Sequence, residues 1–560
     1  MMMKSKYIFF FLLAMFVLPS ALFAQLKAPA ILWQKTIGGD DTDVVSGMYA
    51  LSGGSVAVSG YSKSGISGDK KDTSRGGYDF WAMKLNRDGS LAWEKTYGGS
   101  SDDTATRIIR TQDNGFLLSG TSLSTRSGDK AYLTNSLSPD YWVLKLDKNG
   151  QLLWQKNFGG DFTEKLTAIS ENSYGYALLG HSYSDISGDK ETDNTGSENR
   201  ADYWLVSTDK TGKLKHTYTY GTVGPELSCC SIASDFGNVI GGSSYSRAQQ
   251  GAKTSNPFGG CDYWIVRTDL SGTKVYDSTI GGSSSDFMTC LVGTHDGGYI
   301  AGGYSESPIS GKKTEASRGA YDYWLLKMNI DGSIKWQKTL GGSLGDYMTS
   351  VDETRDGGVL VGGYSNSNAD GDKTENSKGG YDYWLVKLDS SGNKQWDKTF
   401  GGSGDDKLMG VAELDSGQYI MAGTSNSPAD GDKASSTVGG TGKSDFWVIR
   451  LGPATAVDST DSTDNPPIVD TPVITPKYVL NIVNNPTGDK LKIQFSSTVE
   501  ETVNFILYSY DGKKVLTFSQ MATKELSSPF VMPIGKLQTG VYYLTMYGKG
   551  QKLTKMVVKQ

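Results

Sequence analysis

A chain of 560 residues that includes 71 glycines is too long for one compact core and favours several domains or an array of repeats. Its 55 basic and 61 acidic residues give a net charge of −6, which argues against a nucleic-acid-binding surface because such a surface needs a basic patch. Four cysteines are too few for a disulfide-stabilised scaffold.

Residues 1–24 have the pattern of a secretory signal peptide. Lys4 and Lys6 precede the apolar run 7–18, and we expect cleavage after Ala24. No later run of about 18 apolar residues exists, so the sequence predicts no transmembrane span.

Residues 25–451 consist of repeated units. An Asp-aromatic-Trp triplet ends at Trp81, Trp142, Trp204, Trp264, Trp324, Trp384 and Trp447, at spacings of 60 to 63 residues. A second aromatic column lies at Trp33, Trp93, Trp154, His216, Tyr276, Trp336 and Trp396. Each of these residues stands five positions before a glycine at the boundary between two units, which we call the corner glycine: Gly38, Gly98, Gly159, Gly221, Gly281, Gly341 or Gly401. The two columns account for all 12 tryptophans, so we interpret these rings as packing between units.

Each unit contains four β-like runs, which in the sixth unit are 346–353, 359–364, 381–388 and 394–400. Seven units of four antiparallel strands predict an all-β fold, a seven-bladed β-propeller. The last unit lacks its fourth strand, and one unpaired copy of that strand stands at Ile31–Ile37. We therefore predict that this copy completes the last blade and closes the ring, with an open solenoid as the alternative.

Seven long loops connect the second and third strands, and they share one face of the predicted ring. They are 62–77, 122–139, 182–201, 244–260, 305–320, 365–380 and 425–444. A Gly-Asp-Lys turn motif recurs in five of them, and 251–253 and 311–313 depart from it. Because the other face carries tight turns, we predict that the long-loop face binds the ligand.

Seven carboxylates stand at the entry to the predicted innermost strands: Asp43, Asp103, Glu164, Glu226, Asp286, Asp346 and Asp406. One interpretation is an acidic ring at the channel mouth that binds Ca²⁺ or steers a cationic ligand. The other is that each carboxylate accepts backbone N–H groups in its own corner. The Asp of each triplet has the same structural explanation.

The sequence offers no catalytic constellation. Its three histidines occupy unrelated repeat positions, and no HExxH, GxSxG or P-loop motif is present. A polysaccharide-degrading or modifying enzyme that uses carboxylates at the channel mouth is the alternative to a binding protein. Cys229, Cys230, Cys261 and Cys290 provide either an oxidised pair or buried thiols.

Residues 452–477 are rich in Pro, Thr and Asp, which predicts an exposed linker. Residues 478–560 contain about seven short β-like runs, which predict a small β-sandwich. Asn485-Pro486, Tyr510-Asp511-Gly512-Lys513, 537–543 and 555–559 together resemble the C-terminal sorting domain of type IX secretion, a route of the Bacteroidota.

This resemblance implies that residues 478–560 engage the type IX secretion machinery and direct the protein across the outer membrane. The protein is then secreted or held at the outer-membrane cell surface. Together with the loop asymmetry, this leads us to expect an exported propeller that binds an extracellular glycan or protein through its long-loop face.

Overall fold

The computed structural model describes residues 26–132, 138–195, 200–235, 237–246, 251–440, 442–456, 478–482, 490–497, 501–509, 514–522, 530–548 and 551–559. The predicted signal peptide and most of the predicted linker lie outside these residues. Within them the protein is almost entirely β-structure, with one short 3-10 turn at Ser52–Gly54.

The first six blades each contain four consecutive antiparallel strands. Blade 1 contains Asp43–Ala50, Val56–Ser62, Asp79–Leu85 and Leu91–Tyr97, and blade 2 contains Asp103–Arg110, Phe116–Ser122, Asp140–Leu146 and Leu152–Phe158. Blade 3 contains Glu164–Glu171, Gly175–Ser182, Asp202–Asp209 and Leu214–Tyr220, and blade 4 contains Glu226–Ser234, Gly237–Ser244, Asp262–Thr268 and Lys274–Ile280. Blade 5 contains Asp286–Gly293, Tyr299–Ser305, Asp322–Met328 and Ile334–Leu340, and blade 6 contains Asp346–Glu353, Val359–Ser365, Asp382–Leu388 and Lys394–Phe400. Each first strand contacts the first strands of both neighbouring blades around the whole ring, so the first strands line the central channel.

The seventh blade joins the two ends of the repeat region. Its inner strands are Asp406–Glu413, Tyr419–Ser425 and Asp445–Leu451, and its outer strand is Ile31–Ile37. The indole N–H of Trp447 donates to Gln34 Oε1 at 3.0 Å, although the two residues are 413 positions apart. Beside this blade, Leu26–Lys27 pairs with Thr455–Ala456. The fold is therefore a closed seven-bladed propeller.

Neighbouring blades pack through seven aromatic pairs. The aromatic residue of each triplet contacts the tryptophan of the next triplet, with ring centroids 4.7 to 5.0 Å apart. The pairs are Phe80–Trp142, Tyr141–Trp204, Tyr203–Trp264, Tyr263–Trp324, Tyr323–Trp384, Tyr383–Trp447 and Phe446–Trp81. All seven tryptophans are fully buried, so the triplets provide the packing between blades that their spacing predicts.

Five of these pairs also contain a hydrogen bond. The triplet tyrosine donates its hydroxyl to the backbone carbonyl of the next tryptophan, at 3.0 to 3.2 Å. A glycine of the second strand makes room for that hydroxyl, because a Cβ on Gly363 would lie 2.7 Å from the oxygen of Tyr323. Phe80 and Phe446 cannot form this bond.

In five blades the residue of the outer aromatic column lies against the turn glycine of the next blade. The indole N–H of Trp33 donates to the carbonyl of Arg87 at 3.0 Å, and its ring lies against Gly89, whose φ of 81° favours glycine. Trp396 faces the seventh blade, where the chain ends replace this turn. Its buried indole nitrogen has no hydrogen-bond partner among the described residues, and Trp396 belongs to a buried cluster against which Ala28 and Ile31 pack.

The C-terminal region forms two antiparallel sheets. Their strands are Tyr478–Ile482, Lys490–Ser497 and Phe530–Pro533 in one sheet, and Glu501–Ser509, Lys514–Ala522, Gly540–Gly548 and Gln551–Lys559 in the other. One buried cluster takes side chains from both sheets, including Ile493, Phe505 and Leu544. The region is therefore the small β-sandwich that the sequence predicts.

Replacing Tyr323 with phenylalanine removes one bond between blades and leaves the ring packing in place. We expect Tyr323→Phe to lower the free energy of unfolding by about 1 kcal/mol, measured as a shift of the urea midpoint. The matched variant Phe80→Tyr places a hydroxyl toward the carbonyl of Trp142, and we expect it not to lower the midpoint. Equal midpoints for Tyr323→Phe and the parent protein would show that the bond contributes nothing.

Candidate functional site

The seven predicted site carboxylates lie in the corners between blades, and all seven are fully buried. Each accepts the backbone N–H of the residue four positions earlier, at 2.7 to 3.0 Å. The residues are Asp43, Asp103, Glu164, Glu226, Asp286, Asp346 and Asp406. Serine hydroxyls add further bonds, for example from Ser427 to Asp406 at 2.8 Å. These carboxylates therefore do not form an exposed acidic ring.

Burial raises the pKa of these carboxyl groups above its ordinary value. The pKa rises to about 6 for Asp43 and Asp286 and to about 7 for Glu164, and the pKa of Glu226 also rises because the group is buried beside Asp202. Within the described part of the chain, no three His, Cys, Asp or Glu side chains gather where they could hold a metal ion. The burial of the corner carboxylates and the hydrogen bonds that they accept within each corner are those of groups that stabilise the fold.

A buried lysine from each long loop accompanies the corner carboxylate. These lysines are at most 3% exposed: Lys70, Lys130, Lys190, Lys253, Lys313, Lys373 and Lys433. Each interacts electrostatically with two acids, the corner carboxylate and the Asp of the triplet in the same blade. Burial lowers the pKa of Lys130, Lys190 and Lys313 to about 8. The acids therefore balance the charge of a lysine that the loop inserts into the blade.

The Gly-Asp-Lys motif places this lysine. The backbone N–H of its middle residue donates to the carbonyl of the corner glycine in all seven blades, at 2.8 or 2.9 Å. Where that residue is Asp, its carboxylate also accepts the N–H of the same glycine, as Asp69 does from Gly38 at 3.2 Å. Ala252 and Lys312 lack this second bond and keep the first. The motif is thus an anchor for the loop, and its lysine is present in every unit.

An aromatic cluster lies on the long-loop face, at the channel mouth of blades 4 to 6. It consists of Tyr245, Phe287, Tyr304, Tyr321, Tyr347, Tyr364 and Tyr381. Neighbouring rings have centroids 5.1 to 6.2 Å apart, and all seven side chains are half-buried. The cluster is a continuous aromatic surface that solvent still reaches.

Three repeat positions supply six of the seven members of the aromatic cluster. They are the residue after the corner carboxylate, the last residue but one of the second strand, and the residue before the triplet Asp. Tyr245, the seventh member, comes directly after the second strand of blade 4. Strand pairing sets Phe287 opposite Tyr304 and Tyr347 opposite Tyr364. Tyr304 also contacts Tyr347 of the next blade, with centroids 5.1 Å apart. The rings of blades 5 and 6 therefore meet on the long-loop face, at the mouth of the central channel.

The aromatic cluster breaks the sevenfold pattern of the framework. In blade 7 the position of Phe287 and Tyr347 is taken by Lys407, whose amine lies 5.2 Å from the ring centroid of Tyr381. Lys407 is also 3.7 Å from Asp405. On the far side of the mouth, Tyr61 and Tyr78 form a separate pair. The remaining blades place Thr104, Lys165 and Leu227 after the corner carboxylate.

Three phenols of the aromatic cluster, those of Tyr304, Tyr347 and Tyr364, are neutral at physiological pH. Burial raises the pKa of Tyr304, Tyr347 and Tyr364 to about 12, so their hydroxyls can donate hydrogen bonds. Sequence reasoning missed this cluster because it followed the columns that keep one residue type in every unit. The available signal was the recurrence of three aromatic residues at matching positions in units 5 and 6 only.

Residues 481–560 match the family model described as the secretion system C-terminal sorting domain. This match confirms the resemblance of the tail to type IX sorting domains, and the protein is secreted or displayed at the cell surface. In the described residues no helix is long and apolar enough to cross a membrane.

A regulatory protein shows low sequence identity to this chain. The chain is 26% identical over 382 residues to the regulatory protein FlaEY of Caulobacter vibrioides, an alignment that covers 62% of this chain and 38% of FlaEY. The chain thus spans well under two thirds of that relative.

Two solved structures are similar at low sequence identity. The quinohemoprotein alcohol dehydrogenase ADHIIG of Pseudomonas putida HK5 is 10% identical, with a TM-score of 0.37 over 80% of this chain and 79% of the enzyme. A variant of the Synechocystis apocarotenoid oxygenase is 10% identical, with a TM-score of 0.34 over 77% of this chain and 95% of the oxygenase. At these scores neither structure carries an argument about activity.

The buried carboxyls predict that stability falls as pH rises from 5 to 8. A carboxyl whose pKa is higher in the folded state stabilises the fold below its unfolded pKa and loses that contribution as pH rises through the folded value. Asp43, Asp286 and Glu164 titrate in this window, with pKa values of about 6, 6 and 7. His181, whose pKa burial lowers to about 4, acts in the opposite direction as a single group. We expect a higher unfolding temperature at pH 5 than at pH 8.

The variant Asp286→Asn tests the cause, because it removes one titrating group and keeps a side chain that can accept the corner N–H. We expect a smaller difference in unfolding temperature between pH 5 and pH 8. Asp331 lies in an exposed turn and has a lowered pKa, so Asp331→Asn is the matched control and should leave that difference unchanged. A pH response that Asp286→Asn does not alter would contradict this assignment.

Proposed function

We propose that this protein is an exported binding protein whose propeller holds a glycan through the aromatic cluster on the long-loop face. The observation that carries the proposal is the cluster itself. It is half-exposed, it lies at the channel mouth, and it is absent from the repeated framework. A fold that needed these rings for packing would place them in every blade, as it places the triplet tryptophans.

The chemistry of the aromatic cluster suits a sugar chain. The C–H groups on one face of a pyranose ring pack against an aromatic face, and the sugar hydroxyls form hydrogen bonds around the rim. Six of the seven members are tyrosines, which combine an apolar ring with a polar hydroxyl. Glu306 and Asn366 follow the second strands beside the cluster and offer further polar groups. Contacts across blades 5 and 6 would hold several sugar units in a row.

A protein ligand is the second candidate, because tyrosine is enriched where proteins bind one another. The long loops beside the aromatic cluster would then add to the interface. The enzyme alternative depends on carboxylates that reach a glycosidic bond. The burial of the corner carboxylates gives that alternative no support, so we base the proposal on binding.

The test is a binding measurement with the full-length exported protein on an array of glycans and extracellular matrix proteins, followed by titration of each hit. We expect a glycan hit, and we expect Tyr347→Ala and Tyr381→Ala each to weaken it by on the order of tenfold, or about 1.4 kcal/mol. The loss arises because truncation removes one stacking surface from the aromatic cluster.

Tyr78→Ala is the matched control, since Tyr78 occupies in blade 1 the repeat position that Tyr381 occupies in blade 6. It should leave the affinity unchanged, and so should Asp346→Asn in the acidic corner. A hit that only a matrix protein gives would replace the glycan with a protein ligand. Equal affinity for the parent, Tyr347→Ala and Tyr381→Ala would exclude the aromatic cluster as the site.

A further inference from the structure

The first strand of every blade contains a β-bulge at the same position. The pairing register shifts there in all seven blades, and one residue of the first strand has no partner opposite it. That residue is Ser46, Thr106, Thr167, Cys229, Thr289, Thr349 or Met409. In a regular strand consecutive side chains point to opposite faces, and a bulge breaks this alternation.

In blade 4 the bulge brings two thiols together. Cys229 is the bulge residue, Cys230 follows it, and their Sγ atoms are 2.7 Å apart. Both are free thiols; Cys229 is half-buried and Cys230 is buried. No other blade has two cysteines at this position. In blade 5, Cys290 corresponds to Cys230, but its bulge residue is Thr289, which donates to the carbonyl of Met348 at 2.7 Å.

We propose that Cys229 and Cys230 form a disulfide with each other once the protein has been exported. The sorting domain marks the protein for secretion or surface display, beyond the reducing cytoplasm, and disulfides persist in those outer compartments. The bulge holds the two sulfurs on one side of the strand, so the bond needs no partner from another blade.

The reaction requires an external disulfide as the oxidant, for which glutathione disulfide is a suitable probe. The thiolate of Cys229, the more exposed of the two, attacks one sulfur of that disulfide and releases one thiol. Cys230 then loses its proton and attacks Sγ of Cys229, which forms the new S–S bond and releases the second thiol. Two protein thiols thus lose two protons and two electrons, and the external disulfide is reduced to two thiols. Burial raises the pKa of the Cys230 thiol, which favours Cys229 for the first attack.

The experiment uses the full-length protein incubated with glutathione disulfide, then alkylated without reduction and analysed by intact mass and peptide mapping. With the fold opened by denaturant during alkylation, we expect two of the four thiols to resist alkylation and the mass of the oxidised parent, before alkylation, to fall by that of two hydrogen atoms. The peptide that contains Cys229 and Cys230 should become alkylated only after reduction.

Cys229→Thr is the matched variant, because blades 2, 3, 5 and 6 carry threonine at this position. We expect its three remaining thiols to stay reactive toward the alkylating agent once the fold is opened by denaturant. Cys230→Ala provides a second variant, because blade 3 carries Ala168 at the position of Cys230. Four reactive thiols in the oxidised parent, or a bond between Cys230 and Cys290 that persists in Cys229→Thr, would overturn the proposal.

Discussion

The contact between each triplet tryptophan and the aromatic residue of the preceding blade is the interaction on which the rest of the structure depends. It occurs seven times, and the pair Phe446–Trp81 joins the last blade to the first. A closed ring lets every blade bury both of its faces, which an open array could not do at its ends. The strand Ile31–Ile37 completes this arrangement, because without it the third strand of blade 7 would be an exposed edge.

Electrostatic interactions between buried lysines and carboxylates stabilise the corners between blades. Each long loop sends a lysine into its blade, where two carboxylates balance the charge. Burying such a group is unfavourable unless it is paired and hydrogen-bonded, so the corner serines and backbone N–H groups are part of the same device. The amine of Lys130 donates to Ser122 at 2.7 Å, for example. Loops of variable composition are thereby held in one orientation on the long-loop face.

The features that we connect with function are departures from this sevenfold framework. The aromatic cluster occupies one side of the mouth, and the thiol pair occurs in one blade. The thiol pair lies on a first strand, and the aromatic cluster lies on or directly beside the first three strands of its blades, which the framework holds around the channel. A rigid scaffold lowers the entropy lost when a ligand binds, because the rings are already in place. The repeated residues therefore build the platform, and the exceptional ones are candidates for recognition and chemistry.

The amino-acid sequence alone determined the number of blades, the closing strand and the sorting domain, since each follows from spacing or from a local motif. In blade 6 the predicted strands 346–353 and 394–400 have the observed bounds. Only the tertiary structure decided what the carboxylates do, because the burial of Asp43 depends on Ser64 and Lys70, which a loop brings back to the corner. The aromatic cluster also depends on the tertiary structure. Tyr304 and Tyr347 belong to different blades, and only the packing of one blade on the next brings their rings into contact.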